Sequence, residues 1–235
     1  MYFDFFKQLC QLVNCNDNYA KSYDKWVFFT TNYDNILEEY WVNYRKYLYL
    51  DLGFDTDIGN TRKIMFPDRL IEINKNNSET SMQLIKLHGS LNWIRNSQNQ
   101  IEEHEYNLNI DNVKNRSGSK DFEDDIIIYP LSQKQLYFSP YIQLFRVLLE
   151  ELNKRDLWLV IGYSFRDPVI RTMFEKSLQE NNDRKILLVL PNAHEIKKLF
   201  SQNIQNQIFE VKDYFGMRNY QVVNANIIQQ LLKIS

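Results

Sequence analysis

Cysteine and glycine are both scarce in this 235-residue chain, with two of the former and six of the latter. The cysteines, Cys10 and Cys15, sit close together near the start, and none follows them. A disulfide framework is thereby excluded, and so is a four-cysteine zinc site. No glycine occurs before Gly53. Long apolar runs are missing too: stretches such as Leu157–Tyr163 are far too short to span a bilayer. The opening Met-Tyr-Phe-Asp-Phe-Phe-Lys has no basic leader and carries Asp4 among its apolar residues, which does not read as a signal peptide. Neither charge dominates: Lys+Arg 28 against Asp+Glu 30 leaves a net −2, so the balance points to neither bulk nucleic-acid nor membrane-surface binding. A cytoplasmic protein without a membrane partner is expected.

What is present is an ordinary globular composition, 44% hydrophobic and 25% charged, in a chain long enough to bury a sizeable core. Phe3, Phe6, Leu9, Leu12 and Val13 share a helical face over 2–13. Lys25–Thr31 reads as a buried strand, followed by a helix over Asn35–Tyr47. Gln83–His88 is a second strand, ending abruptly at Gly89, and Trp93–His104 reads as a polar hairpin. The polar stretch from Asn107 to Asp125 reads as a loop, so an insertion is expected near 93–125; Ile126–Tyr129 is a short strand stopped by Pro130. Beyond it comes α/β alternation: a helix over Pro140–Leu152, a strand Leu157–Gly162, a helix Pro168–Leu178 capped by Asp167, a strand Lys185–Leu190 and a helix from about His194. Such alternation predicts one α/β domain, a Rossmann-like parallel sheet flanked by helices.

In sheets of this kind ligands bind beyond the carboxyl ends of the strands, so the polar residues ending each strand are the candidates. The first strand ends in Thr30-Thr31-Asn32-Tyr33-Asp34. Asn32 or Asp34 either caps the next helix or projects a short amide and carboxylate toward a ring and a ribose. The second ends in Lys86-Leu87-His88-Gly89-Ser90. A lone histidine is more often structural, but His88 precedes a glycine that permits a sharp turn and is the side chain suited to proton transfer near neutral pH. His104 and His194 have no comparable setting, and no histidine has metal-ligand spacing. The third strand ends in Gly162-Tyr163-Ser164-Phe165-Arg166-Asp167, where Gly162 and Ser164 suit close approach of a phosphate or ribose. The fourth ends in Leu190-Pro191-Asn192, with Asn192 meeting a ribose or adenine, or capping the next helix.

Taken in order, Thr-Thr-Asn-Tyr-Asp, Leu-His-Gly-Ser, Gly-Tyr-Ser-Phe-Arg-Asp and Leu-Pro-Asn resemble the sirtuin-like family, in particular its divergent bacterial branch associated with NAD hydrolysis in anti-phage defence. The resemblance covers residues 26–193 and implies roles for individual positions. His88 matches the catalytic histidine. Asn32 and Asp34 match residues that contact the nicotinamide ribose and amide, and Asn32 is expected to take part in catalysis. Thr30, Asp34, Gly162, Ser164 and Asn192 are the expected NAD-binding positions, with NAD as substrate. An NAD-dependent deacylase is the alternative activity, and a nucleotide-sensing module without turnover is a third.

Two departures qualify the resemblance. The zinc module of deacylase-type members has no counterpart, because no cysteine follows Cys15; no zinc is expected. The family's first strand and Gly-Ala-Gly-Ser-like diphosphate loop have none either. The expectation drawn is that Met1 is internal to a longer protein, with a missing N-terminal segment or a fused effector or sensor domain. The isolated chain would then bind NAD weakly and self-associate as a homo-oligomer.

Overall fold

A computed structural model of the chain describes residues 26–38, 49–56, 63–66, 81–103 and 139–212. The helix read at 2–13, most of the helix read at 35–47, the loop at 107–125 and the strand read at 126–129 lie outside the described residues, as does the position of any strand preceding Trp26. The chain divides into two compact units, Tyr23–Leu148 and the combination of Met1–Ser22 with Leu149–Ser235.

The first unit holds a parallel three-stranded sheet and an antiparallel four-stranded one. In the parallel sheet, β5 (Ser81–Lys86) lies between β1 (Trp26–Thr30) and β2 (Tyr49–Asp51). The β1–β5 register runs from Trp26 opposite Met82 to Thr30 opposite Lys86, so both strands end side by side. Leu84 and Ile85, on opposite faces of β5, are both buried, as covered faces of a parallel sheet require. Val27–Thr30 of β1 are half-buried rather than buried as expected, since β1 pairs with β5 alone among the described residues.

The antiparallel sheet runs β3 (Phe54–Thr56), β4 (Lys63–Met65), β7 (Ile101–Glu103), β6 (Trp93–Arg95). Its last two strands are the hairpin anticipated at 93–104. Asn96 closes the turn by accepting from the backbone N–H groups of Gln98 and Gln100 at 3.0 and 2.9 Å. The hairpin is less polar inside than its composition suggests: Trp93 and Ile101 are buried, and the Trp93 ring meets Phe54 edge-on at 5.6 Å.

The second unit is built on β8 (Leu157–Ile161), β9 (Lys185–Val189) and β10 (Ile208–Val211), parallel in the order β10-β9-β8. Ile186, Leu187, Leu188 and Val189 of the central strand have no exposed surface, as both faces of a covered parallel sheet require. Helix α1 (Tyr141–Lys154), within which the unit boundary falls, buries Tyr141, Phe145, Leu148 and Leu152 as their spacing predicts. Helix α2 (Pro168–Glu180) starts where expected, Asp167 accepting from the Val169 N–H at 3.0 Å with Pro168 at the first helical position. Buried Arg184 ties the pieces together, donating to the Ser177 carbonyl at 2.8 Å and the Asn153 carbonyl at 2.8 Å. Helix α3 (Ala193–Lys197) is short. The result is an α/β, Rossmann-like architecture of parallel sheets flanked by helices. Among the described residues no helix is long and apolar enough to cross a membrane.

Candidate functional site

Parallel pairing of β1 and β5 delivers two chain segments to one end of their ladder. Residues 31–35 leave β1, and residues 87–92 leave β5. Strand β5 stops at Lys86, so His88 is not the last strand residue, as its sequence setting suggested, but lies in the turn beyond. Gly89 adopts φ +87°, a conformation that Cβ-bearing residues rarely take, and this permits the turn. Its N–H donates back to the Lys86 carbonyl at 3.1 Å.

The two segments are bonded to each other as well as adjacent. The Leu87 N–H donates to the Thr30 carbonyl at 2.9 Å, extending the ladder, and the Leu91 N–H donates to the Tyr33 carbonyl at 3.1 Å. The Lys86 ammonium makes the strongest link. Its three protons match three acceptors on the other segment: the Asp34 carbonyl at 2.6 Å, the Asn35 side-chain oxygen at 2.9 Å and the Glu38 carboxylate at 2.7 Å. The Tyr33 carbonyl lies at 3.5 Å. The Ser90 hydroxyl stands within bonding distance of the Tyr33 carbonyl (3.2 Å), the Asn35 Oδ1 (3.0 Å) and the Asn92 Oδ1 (2.6 Å), and can donate its one proton to only one of them at a time.

Lys86 is only 1% exposed. Burial pushes its ammonium below the usual lysine range, and the Glu38 carboxylate opposes that push. Glu38 is driven the other way: burial raises its carboxyl above the usual range, with Lys86 resisting. Its second oxygen is buried with no hydrogen-bond partner among the described residues, which fits a carboxylate held in a costly place by Lys86.

Against this framework the expected residues take distinct positions. Thr30 ends β1, and its hydroxyl accepts from the Asn32 N–H at 3.1 Å. Asn32 is exposed. Asp34 uses one carboxylate oxygen to accept from the Ile36 N–H at 3.2 Å, capping the helical backbone that begins at 36–38. It therefore performs the capping duty that was one of its two readings. His88 is 5% exposed, its ring 6.4 Å from that of Tyr33. Thr30, Asn32, Asp34 and His88 are thus gathered at one strand end of one unit.

Gly162, Ser164 and Asn192 belong to the other unit, at the carboxyl ends of β8 and β9. Gly162 adopts φ +67°, its N–H donates to the Val189 carbonyl at 2.9 Å, and a Cβ placed there would meet nothing within 4 Å. Ser164 is half-buried. Phe165 also takes a positive φ, +51°, although it is wholly buried. Edge-on contacts with Tyr163 at 4.9 Å, Phe174 at 5.1 Å and Phe200 at 4.9 Å surround it and hold that strained backbone. Asn192 is exposed and precedes α3 as its cap residue, its carbonyl accepting from Glu195 and Ile196, but its side chain makes no capping bond. A glycine turn with open space above it and an exposed amide at the next strand end suit a nucleotide's ribose and phosphates. Among the described residues no group of three or more His, Cys, Asp or Glu side chains is arranged to hold a metal ion.

A family model described as a SIR2-like domain matches residues 27–209, most of the chain. The chain belongs to the SIR2-like family. No curated protein matches it. The match begins in β1 and ends in β10, so it takes in both strand-end clusters. SIR2-like proteins are generally NAD-dependent enzymes, and an NAD-related function follows for this chain.

Reading the sequence missed Lys86, Asn35, Ser90 and Asn92 as a group. The available signal was a lysine following Leu84-Ile85 in a strand and directly preceding the Leu-His-Gly turn. A lysine there either ends the strand in solvent or must find buried acceptors.

Proposed function

We propose that this SIR2-like protein hydrolyses the nicotinamide–ribose bond of NAD, drawing on the cytoplasmic NAD pool of a bacterium as an anti-phage response. The reaction takes NAD and water to ADP-ribose, nicotinamide and a proton. The C–N bond breaks with its electron pair leaving on neutral nicotinamide, positive charge develops on the ribose, and water oxygen bonds to the anomeric carbon. Catalysis then requires a grip on the ring, a positioned water and a proton acceptor. Asn32, exposed on the loop after β1, orients the ribose and the attacking water. Asp34 holds the nicotinamide amide through the carboxylate oxygen not engaged by the Ile36 N–H. His88 takes the proton released as water or a ribose hydroxyl reacts. Thr30, beside them, is a further NAD-binding position, and within the other unit Gly162, Ser164 and Asn192 at the ends of β8 and β9 suit contact with a nucleotide.

The observation supporting this reading best is the bonded pairing of the Asn32-bearing loop with the His88-bearing turn, where Lys86 and Ser90 span the two segments. Hydrolysis is favoured over deacylation because no cysteine follows Cys15 to build a four-cysteine zinc module. The mechanism and the defence role also rest on the motif set running from Asn32 to Asn192. The test is nicotinamide release from NAD by the purified chain, with and without acetyl-lysine peptide. Release without peptide supports hydrolysis. Release only with peptide indicates a deacylase, and saturable NAD binding without release indicates a sensor.

A further inference from the structure

We propose that Lys86 is a positioning residue for NAD cleavage, its ammonium fixing the Asn32–Asp34 loop in register with the His88 turn. The proposal rests on the hydrolase reading above and assigns a task to a residue that touches none of the reacting atoms.

A lysine in a purely structural role at a strand end would extend into solvent, its stem covering apolar surface. Lys86 does the opposite. Among the described residues it is the bulkiest of the fully buried side chains, and its protons reach a backbone carbonyl, a side-chain amide and a carboxylate within residues 34–38, where the loop passes into helix. The Asp34 carbonyl it holds at 2.6 Å belongs to a candidate site residue, two positions from Asn32. His88 follows Lys86 by two residues on the other segment. One ammonium thus fixes the separation of the two groups that the chemistry needs at a set distance, and a displacement of about 1 Å in such a pair costs roughly 10²-fold in rate. Serving stability alone would be a poor use of the site, because replacing a buried ion pair by apolar groups is often neutral or better.

Charge on Lys86 is part of the task. The neutral amine has one donor fewer and loses the charge that strengthens its bonds to the carbonyl and carboxylate oxygens. The ionisable groups facing it are Glu38, Asp34 and Glu103, all acidic, and each favours the protonated form. Removing the Glu38 charge should let Lys86 lose its proton at a lower pH, because the carboxylate that favours the ammonium is gone.

Four full-length proteins test this: wild type, Glu38→Gln, Lys86→Met, and the double variant Lys86→Met/Glu38→Leu, which removes both charges together. The double variant guards against a folding failure of the single one. We expect the double variant to unfold near the wild-type urea midpoint, to exchange the backbone amides of residues 32–36 at least about tenfold faster, and to lose roughly 10²-fold in kcat with a smaller change in KM. In Glu38→Gln the alkaline limb of kcat should move to lower pH while the neutral-pH rate stays closer to wild type. Wild-type kcat in a folded double variant, or an alkaline limb unmoved in Glu38→Gln, overturns the positioning role while leaving hydrolysis in place. A wild-type protein that releases no nicotinamide overturns the hydrolase reading itself, and the positioning role falls with it.

Discussion

Asn32 and His88 present a contrast that matters for chemistry: one is exposed on a loop, the other is nearly enclosed in a glycine-assisted turn. A solvent-facing amide can meet an arriving substrate, whereas an enclosed imidazole is shielded from bulk water and held by its surroundings. Replacing either residue with alanine is expected to lower nicotinamide release by about two orders of magnitude, the usual scale for loss of such a group. Each variant is to be checked for folding by its urea midpoint. Wild-type turnover from folded His88→Ala would remove the histidine from the mechanism. Both positions were legible in the sequence because short polar residues and a His-Gly pair directly following apolar strands are unusual enough to notice. Lys86 was not legible, because a lysine's ordinary place is in water and only three-dimensional pairing reveals three acceptors waiting 52, 51 and 48 residues earlier. The strain at Phe165 was equally hidden, since nothing in a Tyr-Ser-Phe-Arg run announces a positive φ held by rings from Phe174 and Phe200.

Among the elements, those with strong patterns and the hairpin of β6 and β7 were readable, and the three-residue strands β2, β3 and β4 were not. Strands β1 and β8 carry unbroken apolar or β-branched runs, β9 follows Lys185 with four apolar residues, β5 shows only Leu84-Ile85 before the Lys-Leu-His-Gly segment, and α2 announces itself through Asp167-Pro168. Strands β2, β3 and β4 are too short to display a period, and they exist because neighbouring strands supply hydrogen-bond partners. Strand β10 was overlooked although Ile208-Phe-Glu-Val suits a strand; its parallel pairing with β9 decides the matter. The turn joining β8 to α2 carries the element-scale prediction. Gly162→Ala places a methyl group where the protein has open space, so its direct cost is the left-handed backbone alone, about 1–2 kcal/mol. If a dinucleotide packs on that turn, the same methyl meets the ligand, and KM for NAD should rise about tenfold, equivalent to roughly 1.4 kcal/mol. A lower urea midpoint with unchanged KM would make the turn structural only.

For the whole molecule, two expectations concern what holds it together. The first is independence from metal. With two cysteines at positions 10 and 15 and no suitable side-chain group among the described residues, prolonged EDTA treatment should change neither the melting temperature nor turnover. Elemental analysis finding one zinc per chain would contradict it. The second concerns global stability against pH, where the Lys86–Glu38 pair sets an unusual sign. Burial raises Glu38 above 4.5 in the folded chain, so just above that pH the folded state binds more protons than the unfolded one. Stability contributed by this group therefore rises as pH falls through the window. Burial lowers Lys86 below 10.5, so just below that pH the unfolded state binds more protons, and stability rises as pH rises. Wherever both groups are ionised the fold carries the desolvation of both. The double variant Lys86→Met/Glu38→Leu lacks both titrations and serves as the reference. Wild-type stability minus that of the variant, from urea unfolding at a series of pH values, should trace a trough, rising on the acid side as Glu38 takes its proton and on the alkaline side as Lys86 loses its own. A dome would mean that the ionised pair stabilises the fold outright, and the reason for burying a lysine beneath the Asn32 loop would then be stability instead of position.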